Sequence, residues 1–279
     1  MTDVTVVKCS GNAVVDPREV CRDVARMRSA GRPVVLVHGG SVEIDRLADR
    51  LGVPRRHLLA PNGTVARHTD APTLDVVQLA LAGVVKPRFV GELSRLSVPA
   101  VGLTGLDGRL AVARRKGATR AVVDGRTVLV RDNHAGVVDH VNTELLHVLL
   151  RSGVVPVLSP PAITEDGATV NVDADRLAAA VAAALSASTL IMLTGAPGVL
   201  RDPDDEESLM AVYEVGGRSA EAELAGGMAV KVFAAEQALR EGVSRVIVAD
   251  GRRPHPVRAA EEGGGTILTV APGTAEVRR

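Results

Sequence analysis

Short, predominantly apolar runs alternate along this chain with longer stretches in which apolar residues return every three or four positions. The runs at 4–7, 34–37, 100–103, 154–158, 189–193 and 245–249 have the length and composition of buried strands. Between them lie helices. Asp16-Pro17-Arg18-Glu19 reads as a capped start, with Asp16 as N-cap, Pro17 at the first helical position and Glu19 reaching back, and Gly31 closes the segment. After His38-Gly39-Gly40, the residues Ile44, Leu47, Ala48 and Leu51 keep helical spacing until Gly52. Further helices are predicted over 73–85, 87–97, 142–152, 174–186 and 228–241. The alternation favours an α/β fold with a mainly parallel sheet covered on both faces.

The pattern changes between 107 and 132. There, 110–114, 121–123 and 127–130 read as short strands, with Asp124-Gly125 as a hairpin turn. Seven basic residues (Arg109, Arg114, Arg115, Lys116, Arg120, Arg126, Arg131) face three Asp in this stretch, so it forms a basic projection. A solvated face and a docking surface account for it equally well. Pro160-Pro161 is the best candidate junction between lobes, and no repeat or low-complexity linker appears.

Across all 279 residues, 33 basic side chains balance 33 acidic ones, so nothing global argues for nucleic acid or a membrane surface as partner. Two Phe, one Tyr and no Trp leave no base-stacking platform. Cys9 and Cys21 lack metal-ligand or redox spacing, which points to a reducing cytosol. The apolar run at 177–188 is too short to span a bilayer. A cytoplasmic protein is expected.

Candidate chemistry gathers in separated segments. Lys8 closes the first strand just before Gly11, and Gly39-Gly40 lets backbone approach a ligand between a strand and a helix. Singly, each is also an ordinary surface lysine or a tight turn. Neither Gly-x-Gly-x-x-Gly nor a Walker-type loop is present, which disfavours NAD binding and P-loop chemistry. In Asn171-Val172-Asp173-Ala174-Asp175, one carboxylate suffices as a helix cap, leaving the other available to position lysines. Lys231 follows Gly226-Gly227-Met228. Together these segments suggest phosphoryl transfer.

Taken in order, the Lys8 segment, His-Gly-Gly, Asn-x-Asp-x-Asp and Gly-Gly-Met-x-x-Lys resemble the amino acid kinase family, and within it the acetylglutamate kinase branch. The stretches 63–70, 102–110 and Arg114-Arg115-Lys116 are most similar to kinases acting on 2-aminoadipate or glutamate carried by a small acidic amino-group carrier protein. The resemblance implies a three-layer α/β/α sandwich. It also implies an N-terminal lobe, 1–160, for the acyl substrate and a homodimer interface, and a C-terminal lobe, 161–279, for ATP.

By motif position the resemblance implies that Lys8, Asp175 and Lys231 are catalytic, with Asp175 orienting both ammonium groups. Gly11, Gly39 and Gly40 would give amides to phosphates and substrate, and Thr194, Gly198 and Met228 would lie at the nucleotide. Arg67 would hold the substrate's carboxylate end, Asn171 its main chain, and Arg114, Arg115 and Lys116 the carrier. Mg2+ would arrive with ATP, without a protein ligand of its own. Free N-acetylglutamate kinase is the alternative reading, and a non-catalytic nucleotide or amino-acid sensor the second. Ser10, Ala66 and Thr194-Gly195 depart from the family pattern.

Overall fold

The computed structural model describes residues 3–11, 14–60, 65–123, 126–215, 224 and 226–270. The chain begins with β1 (Thr5–Cys9), α1 (Pro17–Ser29), β2 (Val34–His38), α2 (Ser41–Leu51), β3 (His57–Leu59), β4 (Val65–Arg67), α3 (Ala71–Gln78), α4 (Lys86–Arg95) and β5 (Ala100–Thr104). Short strands follow: β6 (Ala111–Arg115), β7 (Thr119–Val123), β8 (Arg126–Val130) and β9 (Gly136–Val141). Then come α5 (Glu144–Arg151), β10 (Val155–Ser159), β11 (Ala162–Ile163), β12 (Thr169–Val170), α6 (Ala174–Ala184) and β13 (Thr189–Thr194). The last described elements are β14 (Val212–Val215), α7 (Gly226–Arg240), β15 (Arg245–Asp250), α8 (Pro256–Glu261) and β16 (Thr266–Val270).

Eight strands form the central sheet in the order β14-β16-β15-β13-β1-β2-β10-β5. All neighbours run parallel except β15 and β16. β1, β2, β10, β13 and β15 are buried on both faces, as inner strands of a parallel sheet require, whereas the 100–103 run, expected to be buried, lies in the edge strand β5 with Val101 and Gly102 exposed. Alternation along β1 sends Val4 and Val6 into a core shared with α5, α6 and α7, and Val7 and Cys9 into one shared with α1, α4 and α8. Lys8 continues the first of these rows. Because β1 has β2 on one side and β13 on the other, its C-terminal end lies where the winding reverses, the place where such sheets bind ligands. Among the described residues no helix is long and apolar enough to cross a membrane.

Helix ends follow the sequence closely, with one exception. Asp16 caps α1 by accepting from Arg18 N at 2.9 Å, and Gly31 and Gly52 adopt the left-handed conformation after α1 and α2. Glu19 does not reach back to the cap. Its carboxylate pairs with Arg22 and accepts from His255 N at 3.2 Å, tying α1 to α8.

The two helices expected over 73–85 and 87–97 are joined. A π-helical segment, Leu79–Val85, connects α3 to α4. Pro87 lacks an N–H and its ring crowds the preceding turn, and the wider π turns just before it let the helix continue. The basic projection is also divided. β6 lies in a sheet ordered β12-β11-β6-β9, whereas β7 and β8 belong to another ordered β4-β3-β7-β8. The expected turn at Asp124-Gly125 lies outside the described residues.

At the end of the π segment Lys86 is buried against β5, where a Cβ on Gly102 would come within 2.7 Å of its Cδ. Burial pushes its ammonium down to about 8, against the pull of Asp107. The folded state therefore releases this proton before the unfolded chain does, and stability should rise with pH from about 8 to the ordinary lysine value of 10.5. Lys86→Met should be more stable than the parent by about 1–2 kcal/mol at pH 7. That advantage should vanish near pH 10.5, as read by urea denaturation at both pH values.

Candidate active site

Three elements bring their side chains together at the end of β1. Asp173 caps α6, its Oδ1 accepting from Asp175 N at 2.9 Å and Arg176 N at 3.0 Å. With the cap supplied by Asp173, Asp175 is free to turn inward. Its Oδ1 lies 2.5 Å from Lys8 Nζ and its Oδ2 accepts from Lys231 Nζ at 2.8 Å. Lys8, Asp175 and Lys231 are only 3%, 5% and 9% exposed.

Burial alone would lower the Lys8 pKa, but the charge and hydrogen bond of Asp175 reverse this and hold it above the ordinary lysine value. Burial likewise would raise Asp175, yet the two lysines keep its carboxyl below the ordinary range. The site therefore holds one carboxylate and two ammonium groups. Each ammonium can donate three hydrogen bonds, and Asp175 takes one from each. The lysine N–H groups not used by Asp175 are available to phosphate oxygens.

The glycine turns are packed beside this cluster. A Cβ on Gly11 would sit 2.2 Å from Gly40 N, one on Gly39 would be 3.3 Å from Gly11 N, and one on Gly40 would be 2.5 Å from Leu81 Cδ2. The π segment thus supports the Gly40 turn from below. Gly40 offers α2 no side-chain cap; of the first amides, Val42 N donates to Gly11 O at 3.4 Å, which ties the two glycine turns together. His38 is no acid or base here. Its ring stacks on Phe89 with centroids 5.3 Å apart, Nδ1 lies 2.9 Å from Gly39 O, and burial pushes its pKa down to about 3.

Arg67 closes β4 and Asn171 follows β12, and Thr69 links them, its Oγ1 donating to Arg67 O at 3.4 Å. Asn171 Nδ2 donates to Thr69 Oγ1 at 3.4 Å, and Arg67 makes an ion pair with Asp45 of α2 at 2.7 Å. Sequence reasoning missed Asp45, and reached Thr69 only as part of the stretch 63–70. The signal for Asp45 was its position five residues beyond Gly40, on the helix that the glycine turn starts.

The expected nucleotide residues are spread along the sheet ends. Thr194 closes β13 and its carbonyl accepts from Gly251 N at 2.8 Å. Met228 lies in the first turn of α7 against the core. Gly198 packs on β16, where a Cβ would meet Thr266 Oγ1 at 2.5 Å. At the end of β6, Arg114 pairs with Asp139 at 3.4 Å and Arg115 Nε donates to Asn133 O at 3.0 Å. Lys116 is exposed. The residues Gly63 and Thr64 of the substrate stretch lie outside the described ones. Among the described residues, no group of three or more His, Cys, Asp or Glu could hold a metal ion.

A parallel α/β sheet with paired lysines and glycine turns at its switch point defines a phosphate-handling class of protein. The chain belongs to the amino acid kinase family, whose model matches residues 3–250. It is 40% identical over 270 residues to a LysW-aminoadipate kinase of Deinococcus radiodurans, covering 96% of this chain and 92% of that one. To an acetylglutamate kinase of Archaeoglobus fulgidus it is 36% identical over 272 residues, covering 94% and 92%. Its fold matches the N-acetylglutamate synthase of Neisseria gonorrhoeae with a TM-score of 0.77 at 27% identity, over 96% of this chain and 59% of that one.

Asp175→Asn should cost about 3–5 kcal/mol in chemical denaturation, because two buried ammonium groups are left facing each other. In the parent, the Asp175 contribution is present above the ordinary carboxylate value of 3.8 and is lost as pH falls through its lower folded value. The Lys8 contribution is present below 10.5 and is lost only as pH rises through its higher folded value. The penalty for Asp175→Asn should therefore be constant from pH 5 to 9 and shrink on acidification below about pH 4.

Proposed function

We propose that this protein transfers the γ-phosphoryl group of ATP to the side-chain carboxylate of an N-blocked acidic amino acid, giving an acyl phosphate. The observation that carries this reading is the Asp175 carboxylate shared by Lys8 and Lys231 beside the glycine cradle. A carboxylate is already a competent nucleophile at neutral pH, so positioning and charge neutralisation suffice. Lys8 neutralises the moving phosphoryl oxygens and Lys231 the phosphate left behind. Asp175 fixes the distance between the two ammonium groups and takes no proton. Gly11 and Gly40 donate amides to phosphates, whereas Gly39, whose N–H is given to Cys9 O at 3.2 Å, lets the chain pass close to them; Thr194, Gly198 and Met228 border the nucleotide. Mg2+ supplies further neutralisation when bound, held by the phosphates.

Arg67 receives the α-carboxylate of the acceptor, where a planar fork matches a planar anion, and Asn171 reads its main chain. The LysW-aminoadipate kinase relatives support aminoadipate, or glutamate, presented by an acidic carrier protein. Basic residues on β6, β7 and β8, Arg114, Arg115 and Lys116 at the end of β6 among them, steer that partner by complementary charge. Residues 1–160 form the acyl lobe and 161–279 the ATP lobe, a division favoured by the four strands each half contributes to one side of the central sheet. The open edge at β5, with Val101 and Gly102 exposed, favours a homodimer through the first lobe. Two buried free cysteines accord with a cytoplasmic setting.

Free N-acetylglutamate is the second reading. It is supported by the acetylglutamate kinase relatives and by the fact that Arg67 and Asn171 suit either acceptor. Trapping the acyl phosphate with hydroxylamine separates the two. With ATP and Mg2+, signal is expected from aminoadipate amide-linked to an acidic tail and not from free aminoadipate. Signal from N-acetylglutamate alone would favour the second reading, and none from any acceptor would overturn both. Lys231→Ala should lower kcat by about 100-fold or more in the folded variant, and full turnover in that variant would refute its role.

A further inference from the structure

Arg67, the residue offered to the acceptor's carboxylate, is held at its two ends by different parts of the fold. At the root of its side chain, Thr69 ties Arg67 O to Asn171 Nδ2. Thr69 is fully buried and is itself fixed, its N–H donating to Asn133 Oδ1 at 3.1 Å and its carbonyl accepting from His134 N at 2.7 Å. Every polar group of Thr69 is thereby committed. The backbone of Arg67 is anchored to the strand that leads to Asn171.

The tip is held by something else. Only 15% of the Arg67 side chain is exposed, and among the described residues its one carboxylate partner is Asp45, whose Oδ1 lies 2.7 Å from Nη2. The other acidic residues of α2 are committed elsewhere, Glu43 to Arg46 and Arg88 and Asp49 to Arg55. Asp45 Oδ1 is buried, yet no N–H is aligned on it as a hydrogen bond. The carboxylate therefore attracts the guanidinium by charge and leaves its five N–H donors free for another planar anion. Asp45 also belongs to the helix that the glycine cradle starts. Four residues, about 6 Å of helix, separate it from Ser41 at the cradle.

We propose that Asp45 is a positioning residue for the acceptor, fixing the Arg67 guanidinium by charge at a set distance from the glycine cradle, so that its fork stands ready for the acceptor's α-carboxylate. The proposal rests on the carboxylate-phosphorylating reading above and deepens it. A free arginine side chain has many rotamers, and freezing it before the acceptor arrives lowers the entropy lost on binding. Asp45 also repels an incoming carboxylate. Anchoring outweighs this because Asp45 faces Nη2 alone, which leaves the rest of the fork to the acceptor. One rigid helix then sets the separation between the acceptor's held end and the carboxylate that attacks phosphorus. Asp45 acts on how the acceptor is held and not on the transfer step.

The test is a kinetic double-mutant cycle between Asp45 and Arg67. It uses saturating ATP and whichever of N-acetylglutamate and amide-linked aminoadipate the parent phosphorylates. Asp45→Asn, isosteric but uncharged, should raise the acceptor KM about tenfold with kcat within about twofold, and Asp45→Ala should do the same. Asp45→Glu, which keeps the charge, should recover part of the loss. The KM for ATP should stay at the parent value in all three, which identifies them as folded. In an Arg67→Ala background, Asp45→Asn should raise the acceptor KM no further. An unchanged acceptor KM in Asp45→Asn would overturn the role. A lowered one would overturn it too, by making Asp45 a competitor of the acceptor. An equal rise in the Arg67→Ala background would overturn it by showing that Asp45 acts without Arg67. A parent that phosphorylates no carboxylate acceptor would overturn the phosphoryl-transfer reading, and this role with it.

Discussion

One buried carboxylate between two lysines organises this molecule. Asp175 spans Lys8 of β1 and Lys231 of α7, and each group is tolerated away from water only because the others are there. That requirement reaches outward. Asp173 must cap α6 so that Asp175 need not, and β1 must lie at the middle of the sheet so that its last residues open at the reversal point. The glycine turns must then stay bare, because a Cβ on Gly11 would collide with the backbone of Gly40.

Much of this was legible from residues alone. Six of the eight central strands show as predominantly apolar runs, while β14 and β16, interrupted by Glu214 and Thr269, do not; the ends of α1 and α2 follow from Asp16, Gly31 and Gly52. The assignment of one acidic residue as cap and the other as lysine partner in Asn171-Val172-Asp173-Ala174-Asp175 was open in the sequence. Helix geometry decides it, since a side chain at the N-cap reaches the first free amides and one two residues later does not.

What escaped the sequence depended on distant partners. Glu19 has the spacing of a capping box, but the competing amide of His255 arrives from the far end of the chain. Pro87 signals a break, and only the packing of Leu81 beneath Gly40 shows why a widened helix is kept there instead. Strands of two or three residues, such as β11 and β12, carry too little periodicity to be recognised. The pairing of Arg67 with Asp45 joins a short strand to a helix face, a relation that spacing cannot express.

The division of the basic stretch between two small sheets has an evolutionary consequence. β7 and β8 pair with each other and meet the rest of their sheet through Leu59 and Val122. Insertions or charge changes in that ribbon leave the strands around Asn171 undisturbed. A lineage can thus change the charge carried by this peripheral ribbon, while selection on the Lys8–Asp175–Lys231 cluster proceeds independently of it.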